Sequence, residues 1–253
     1  MKITFLGTGT SQGVPVIGCE CDVCQSIDFR DKRLRTSIHI EVDGKSFVVD
    51  TGPDFRQQML RERIHVLDAV IFTHEHKDHV AGLDDVRSFN FRLKRHMPIY
   101  ATRRVIDQLE KEFHYAFGEI TYPGAPRFDV NEIDNSPFEI KGVEFIPIEV
   151  LHYKLPVLGY RIKDFTYITD ANSISDEELE KVKGTRVLVL DALQREKHIS
   201  HFTLDEAVDL IQRINPEQAY LIHISHRMGT HRKVEKELPD NISIAYDGLK
   251  IIL

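Results

Sequence analysis

Six consecutive residues, His74-Glu75-His76-Lys77-Asp78-His79, bring three imidazoles and a carboxylate within reach of one another. Imidazole suits zinc, iron and manganese, and a carboxylate can bind a second ion or orient the water that it activates, a catalytic part open to Asp78. The short apolar run Ala69 to Thr73 leads straight into this H-x-H-x-D-H pattern, so the ligating groups can project into one cavity at a sheet edge. Further along, His152 follows one expected strand, Asp170 ends another, and His223 ends a third. His201 precedes a capped helix, with His198 close by. The chain has 13 histidines. All 3 of its cysteines, Cys19, Cys21 and Cys24, fall in one C-x-C-x-x-C stretch. Three thiols cannot pair fully into disulfides, and nothing suggests a secretory context. Free cytoplasmic thiols are the plain alternative to a structural zinc, which needs a fourth nitrogen or sulfur ligand. Gly7-Thr8-Gly9 is not a phosphate loop, since the Lys-Ser/Thr ending is missing and proline, not a helix, follows. It reads as a tight turn at a strand end.

The elements that must position these groups follow from periodicity and turn chemistry. Met1 to Leu6 reads as a strand. Ser37 to Val42 and Ser46 to Asp50 flank Asp43-Gly44, a two-residue hairpin signal. A helix is expected from Pro53 to about Arg63, because proline is tolerated in a first turn. Val80 to Phe89 reads as helical, and Thr102 to Phe113 carries the 3.6-residue period in Val105, Ile106, Leu109 and Phe113. In the second half, strands are expected at Phe138 to Ile140, Val143 to Val150, Leu158 to Ile162, Phe165 to Thr169, Val187 to Leu190 and Gln218 to Ile222. Ser175 with Glu178, and Thr203 with Glu206, are capping-box signatures. Ile242 to Ala245 and Leu249 to Leu253 read as a closing hairpin hinged at Asp247-Gly248. Gly118 to Pro137 is the most irregular stretch and reads as a surface loop or lid. Two strand-rich halves with interspersed helices predict two sheets packed face to face, helices outside, in a single α+β domain spanning residues 1 to 253.

A length of 253 residues, with 42% hydrophobic and 29% charged, allows a substantial core. No window is long and apolar enough for a membrane span, and Met1 to Leu6 lacks the character of a signal peptide. A cytoplasmic protein is therefore expected. The net charge of −7 argues against non-specific nucleic-acid binding. The basic stretches Arg30 to Arg35 and Arg92 to Arg95 are short enough to be ordinary solvated faces.

The H-x-H-x-D-H pattern, with His152, Asp170 and His223 following in order at strand ends, resembles the signature of the metallo-β-lactamase superfamily. That resemblance implies a four-layer αβ/βα sandwich with metals at one edge of the paired sheets. It implies one ion on His74, His76 and His152, another on Asp78, His79 and His223, and Asp170 bridging them. Two divalent ions, zinc or manganese, held about 3.5–4 Å apart would acidify a bridging water and clamp an in-line displacement at phosphorus. The stretch His152 to Tyr160 and the segment His201-Phe202-Thr203-Leu204-Asp205-Glu206-Ala207 look like those of tRNase Z and its phosphodiesterase relatives. In these relatives the histidine matching His201 serves as a general acid. Gly7 to Cys24, with His223-Ile224-Ser225-His226, resembles the PhnP-type phosphodiesterases, which implies a structural zinc on Cys19, Cys21, Cys24 and His226. A small, even cyclic ribose, phosphodiester is the implied substrate, with a homodimer compatible.

Other readings compete. A tRNA 3′-processing endonuclease would carry a protruding basic arm, and no such insertion is visible. A glyoxalase II thioesterase would need an extra helical domain, and a secreted β-lactamase a signal peptide. A relative of quinone-cofactor biosynthesis protein B shares the N-terminal character. A metal-binding scaffold without catalysis would be marked by a missing ligand, and none is missing.

Overall fold

A computed structural model describes residues 1–118 and 123–253. In chain order, strands β1 (Lys2–Gly7), β2 (Ser37–Val42), β3 (Lys45–Val49), β4 (Ala69–Ile71), β5 (Met97–Ala101) and β6 (Phe128–Glu132) come first. Then follow β7 (Phe138–Ile140), β8 (Val143–His152), β9 (Leu155–Ile162), β10 (Phe165–Tyr167) and β11 (Ser173–Ile174). Strands β12 (Val187–Asp191), β13 (Gln218–Ile222), β14 (Ile242–Ile244) and β15 (Lys250–Ile252) complete the chain. The chain divides into two compact units, each built on one mixed sheet: residues 1–6, 37–134 and 250–253, and residues 7–36 and 135–249. This is the α+β class that the alternation of strand and helix signals predicts.

The first sheet has the order β15-β1-β2-β3-β4-β5-β6. Asp43 and Gly44, with φ of 50° and 71°, make the two-residue turn between β2 and β3. Strands β3 to β6 run parallel to one another, and all of β4 is buried, as its uninterrupted apolar sequence requires. Helix Arg103–Glu112 turns Val105, Ile106 and Leu109 onto Val70, Phe72 and Ile99 of this unit. Phe55 and Met59, from helix Phe55–Glu62, and Phe89, from helix Arg87–Leu93, fill the same core. The second sheet has the order β11-β8-β9-β10-β12-β13-β14, with β7 on β8. Its core packs Leu188, Leu190, Ala219 and Leu221 with Ala207, Leu210 and Ile211 of helix Leu204–Ile214. No helix among the described residues is long and apolar enough to cross a membrane.

Several expectations need correction. The terminal strands are no hairpin: β14 lies parallel to β13 in one sheet, while β15 pairs antiparallel with β1 in the other. Asp247 is used differently, accepting from Thr8 N–H (2.9 Å), Thr8 Oγ1–H (2.8 Å) and Leu34 N–H (2.8 Å). The stretch read as a loop or lid contains β6, and its residues 119–122 lie outside the described part. The helix expected over Val80 to Phe89 is broken into Lys77–Val80, a 3₁₀ turn Leu83–Val86 and Arg87–Leu93. Strand β5 escapes sequence reading because Pro98 removes a ladder donor near its start. Of the two capping boxes, Thr203/Glu206 is complete. At Ser175, Glu178 instead accepts from Glu149 N–H (2.8 Å).

The Thr203/Glu206 box fastens the helix that follows His201. Thr203→Ala should cost about 1 kcal/mol. That corresponds to a fall in Tm of about 2–4 °C for a chain of this size, read by thermal denaturation, with Thr203→Ser retaining most of the stability.

Candidate metal centres

In the first unit the candidate ligands sit beyond the ends of two parallel strands. The β3–β4 register, Val49 opposite Ile71, brings Asp50 beside Thr73. Asp50 Oδ1 accepts from Thr73 N–H (2.9 Å), and Asp50 Oδ2 from Thr73 Oγ1–H (2.8 Å). His79 Nδ1–H donates to the same Oδ2 at 2.7 Å. Burial pushes the Asp50 carboxyl up, and the neighbouring His79 and the Thr73 hydrogen bonds hold it back. Backbone bonds lock the approach: Thr51 N–H to His79 O and Gly82 N–H to Thr51 O, both 2.8 Å. A Cβ at position 82 would lie 2.1 Å from the Gly52 carbonyl oxygen, so only glycine permits this close pass.

With Nδ1 committed to Asp50, His79 presents Nε2 as its lone-pair nitrogen, the arrangement common behind metal-bound histidines. That Nε2 lies 3.3 Å from Asp78 Oδ2. Two donors each about 2.1 Å from one tetrahedral ion stand roughly 3.4 Å apart, so this contact has the spacing of a shared cation. The His74 ring lies 4.6 Å from that of His76 and 4.2 Å from that of His79. His74 and His79 are fully buried, while His76 is exposed. The structure thus brings together all four residues of the H-x-H-x-D-H pattern.

The second unit gathers its residues by the same device. Strands β10, β12 and β13 are parallel, and just past their C-terminal ends or at them stand Asp170, Asp191 and His223. The pairing of Ser173 with Leu151 sets the segment after Asp170 beside the end of β8, where His152 lies. His152 Nδ1–H donates to Ser200 O (2.8 Å), which leaves its Nε2 as a ligating nitrogen. His223 Nε2 stands 3.3 Å from Asp170 Oδ2, again the spacing of two donors on one ion. Asp50, Asp170 and His223 all have φ between 55° and 65°. Left-handed backbone at three non-glycine strand ends is the strain that folds keep for functional positions.

His201 sits between its neighbours, its ring 4.5 Å from that of His152 and 4.7 Å from that of His223. Phe202 N–H to Ala171 O (2.7 Å) and Leu193 N–H to Phe202 O (3.0 Å) fix its loop. His201 Nδ1 faces the buried Asp191 Oδ2 at 3.4 Å, and Ala171 N–H donates to Asp191 Oδ1 at 2.9 Å. Burial, reinforced by the Asp170 charge, pushes the Asp191 carboxyl up to about 8. His198 lies farther out, its ring 5.3 Å from that of His201 and its Nδ1 taken by Ser200. Sequence reasoning missed Asp50 and Asp191. Both are acidic residues at strand ends, the signal that found Asp170, yet no ligand motif spans them.

The cysteines and His226 also meet within the second unit. Cys19, Cys21 and Cys24 Sγ stand 3.2, 3.5 and 3.6 Å from His226 Nδ1. A thiolate and an imidazole on one tetrahedral zinc stand about 3.6 Å apart, so this donor set fits the ion. The Cys24 backbone N–H, with bonds from His226 and the other thiols, holds the Cys21 thiol down to about 6 against its burial. Burial pushes Cys24 up to about 11. The lowering favours the Cys21 thiolate, the form that binds metal.

Two outcomes follow from these geometries. Asp50→Asn removes the carboxylate that fixes the His79 tautomer and should weaken divalent-metal affinity about 10–100-fold in a metal titration. An unchanged affinity would contradict the positioning role. Cys21→Ser should lose one zinc per chain and lower Tm, with activity following stability. Retention of full zinc content would count against the four-ligand site.

Residues 45–224 match the Beta-lactamase superfamily domain family. The whole chain superposes on a diphosphatase of the PhnP family, with a TM-score of 0.93 and 39% identity over 97% of that structure. It is 42% identical over its full length to an octanoyltransferase of Porphyromonas gingivalis, of which it spans 52%, about half. It is 24% identical to a ribonuclease Z of Lachnoclostridium phytofermentans, across 87% of the chain and 92% of that enzyme. Zinc-bound PqqB of Methylobacterium extorquens shares the fold at a TM-score of 0.82 and 18% identity. With a family match over most of its length and the fold shared with these neighbours, the chain belongs to the metallo-β-lactamase superfamily of hydrolases.

Proposed function

We propose that the protein is a metal-dependent phosphodiesterase acting on a small diester. The observation that carries this reading is His201, set beside His152 and His223 with Asp191 at its Nδ1. The candidate ligands are His74, His76, Asp78 and His79 in the first unit, and His152, Asp170 and His223 in the second, the set that the family resemblance implies for two divalent ions. When bound, the ions supply positive charge for the phosphoryl oxygens and acidify a water. Asp50 and the Ser200 carbonyl hold His79 and His152 in the tautomers such ligation needs. Cys19, Cys21, Cys24 and His226 would hold a structural zinc, which contributes to folding and does no chemistry.

A departing alkoxide needs a proton, and His201 with Asp191 is built to hold one. When the pair holds two protons, one lies between Asp191 and His201 Nδ1, and the outer Nε2 carries the other and can donate it. Two relatives support attack at phosphorus, one named a diphosphatase and one a ribonuclease Z. The octanoyltransferase name belongs to a protein about twice as long, and no acyl-transfer nucleophile is needed to explain the groups gathered here. The net charge of −7 favours a small diester over a polynucleotide.

Removal of a general acid hurts most where the leaving group is poor. His201→Ala should slow hydrolysis of a ribose-type diester by about 10²–10⁴-fold and largely spare a p-nitrophenyl diester, with metal content unchanged. Equal losses on both substrates would assign His201 to holding phosphate oxygens. Loss of a metal would make it a ligand. Either result would remove the general-acid role.

A further inference from the structure

We propose that Tyr153 and Lys154 form a subsite for the nucleobase side of the substrate, a refinement that rests on the phosphodiesterase reading. His152 pairs with Leu155, so these two residues alone make the turn between β8 and β9. Two-residue hairpin turns want Gly, Asn or Asp where φ is positive. Here the position is tyrosine, at φ of 60°. A bulky side chain in that region is an outlier, and breaches of local turn rules concentrate at functional positions. The other strained non-glycine residues fall into three groups. Asp43, Lys141 and Lys163 stand in hairpin turns, and Arg63, Lys94 and Asn215 end helices. The rest, Asp50, Asp170 and His223, belong to the candidate metal centres. Among the described non-glycine residues with positive φ, Tyr153 is the sole phenylalanine, tyrosine or tryptophan.

The strain is fastened to the site. Tyr153 N–H donates to Asn172 Oδ1 at 2.6 Å, and Asn172 N–H donates to Leu151 O at 2.8 Å. Asn172 lies two residues past Asp170, and Tyr153 immediately follows His152, so both ends of this clamp adjoin candidate ligands. The fold does not use the ring for its core, since Tyr153 is 49% exposed. Lys154 Nζ stands 5.3 Å from the ring centroid. One turn therefore offers an aromatic face and a cation together. A nucleotide supplies the complement to both: a flat base to stack on the ring and a phosphate oxygen for the ammonium.

The test compares thymidine 5′-monophosphate with ribose 5-phosphate by calorimetric titration of the metal-loaded protein. The wild type should favour the thymidine nucleotide by about 10-fold or more, the value of one stacked base. Tyr153→Phe should keep that ratio, and Tyr153→Gly should bring it near one. Relief of the backbone strain should at the same time raise the Tm of Tyr153→Gly by about 2–4 °C. A wild-type ratio near one, or a ratio that Tyr153→Gly leaves unchanged, overturns the subsite. Hydrolysis of thymidine 5′-(4-nitrophenyl phosphate), followed in parallel, separates the two claims. No hydrolysis with the base preference intact would refute the phosphodiesterase reading and uphold the subsite, and hydrolysis without the preference would refute the subsite alone.

Discussion

An imidazole can hold a cation only through a nitrogen that carries no proton, and which nitrogen that is depends on what the other one touches. Much of this structure serves that constraint. Asp50 exists at the end of β3 to take the Nδ1 proton of His79, and it is held in place by two bonds from Thr73. The Ser200 carbonyl does the same for His152. Removing a buried carboxylate such as Asp50 would leave the candidate ligands present but wrongly protonated or turned, with the damage to metal binding before fold.

The means of positioning is the parallel strand. In each unit one set of neighbouring strands runs parallel, so their C-terminal ends open at one edge, and residues just beyond them can face a common point. Asp50, Asp170 and His223 occupy such places in left-handed backbone, a local cost that the surrounding sheet over-determines. Val70, Ile99, Leu188 and Leu221 are fully buried in the sheet cores that anchor these strands. The cysteine cluster uses another device, a short loop closed on His226 from far along the chain.

Legibility in the sequence tracked locality. The H-x-H-x-D-H run and the C-x-C-x-x-C run declare themselves because their donors lie within a few residues, and the Asp43-Gly44 turn because its backbone conformation demands those residues. Strand-end histidines and Asp170 could be placed because the apolar runs before them end where the ligand types begin. Asp50 and Asp191 stayed hidden, since their partners lie 29 and 10 residues away along the chain, at His79 and His201, and only strand register brings them together. Asp247-Gly248 misled for a related reason: its turn chemistry is real, but Asp247 spends its carboxylate on Thr8 and Leu34, and β15 finds β1 at the other end of the chain. Long-range pairing is what a local reading cannot supply.

In the proposed reaction, hydrolysis at phosphorus depends on ions held by these donors. That dependence is tested most directly by stripping the protein of metal and restoring zinc stepwise, counting ions per chain while following hydrolysis of bis(p-nitrophenyl) phosphate. No hydrolysis is expected while only a structural zinc on the cysteine cluster is filled, and activity should rise as two further ions bind. Hydrolysis that persists in the stripped protein, or that is complete after a single ion has bound, would contradict that dependence.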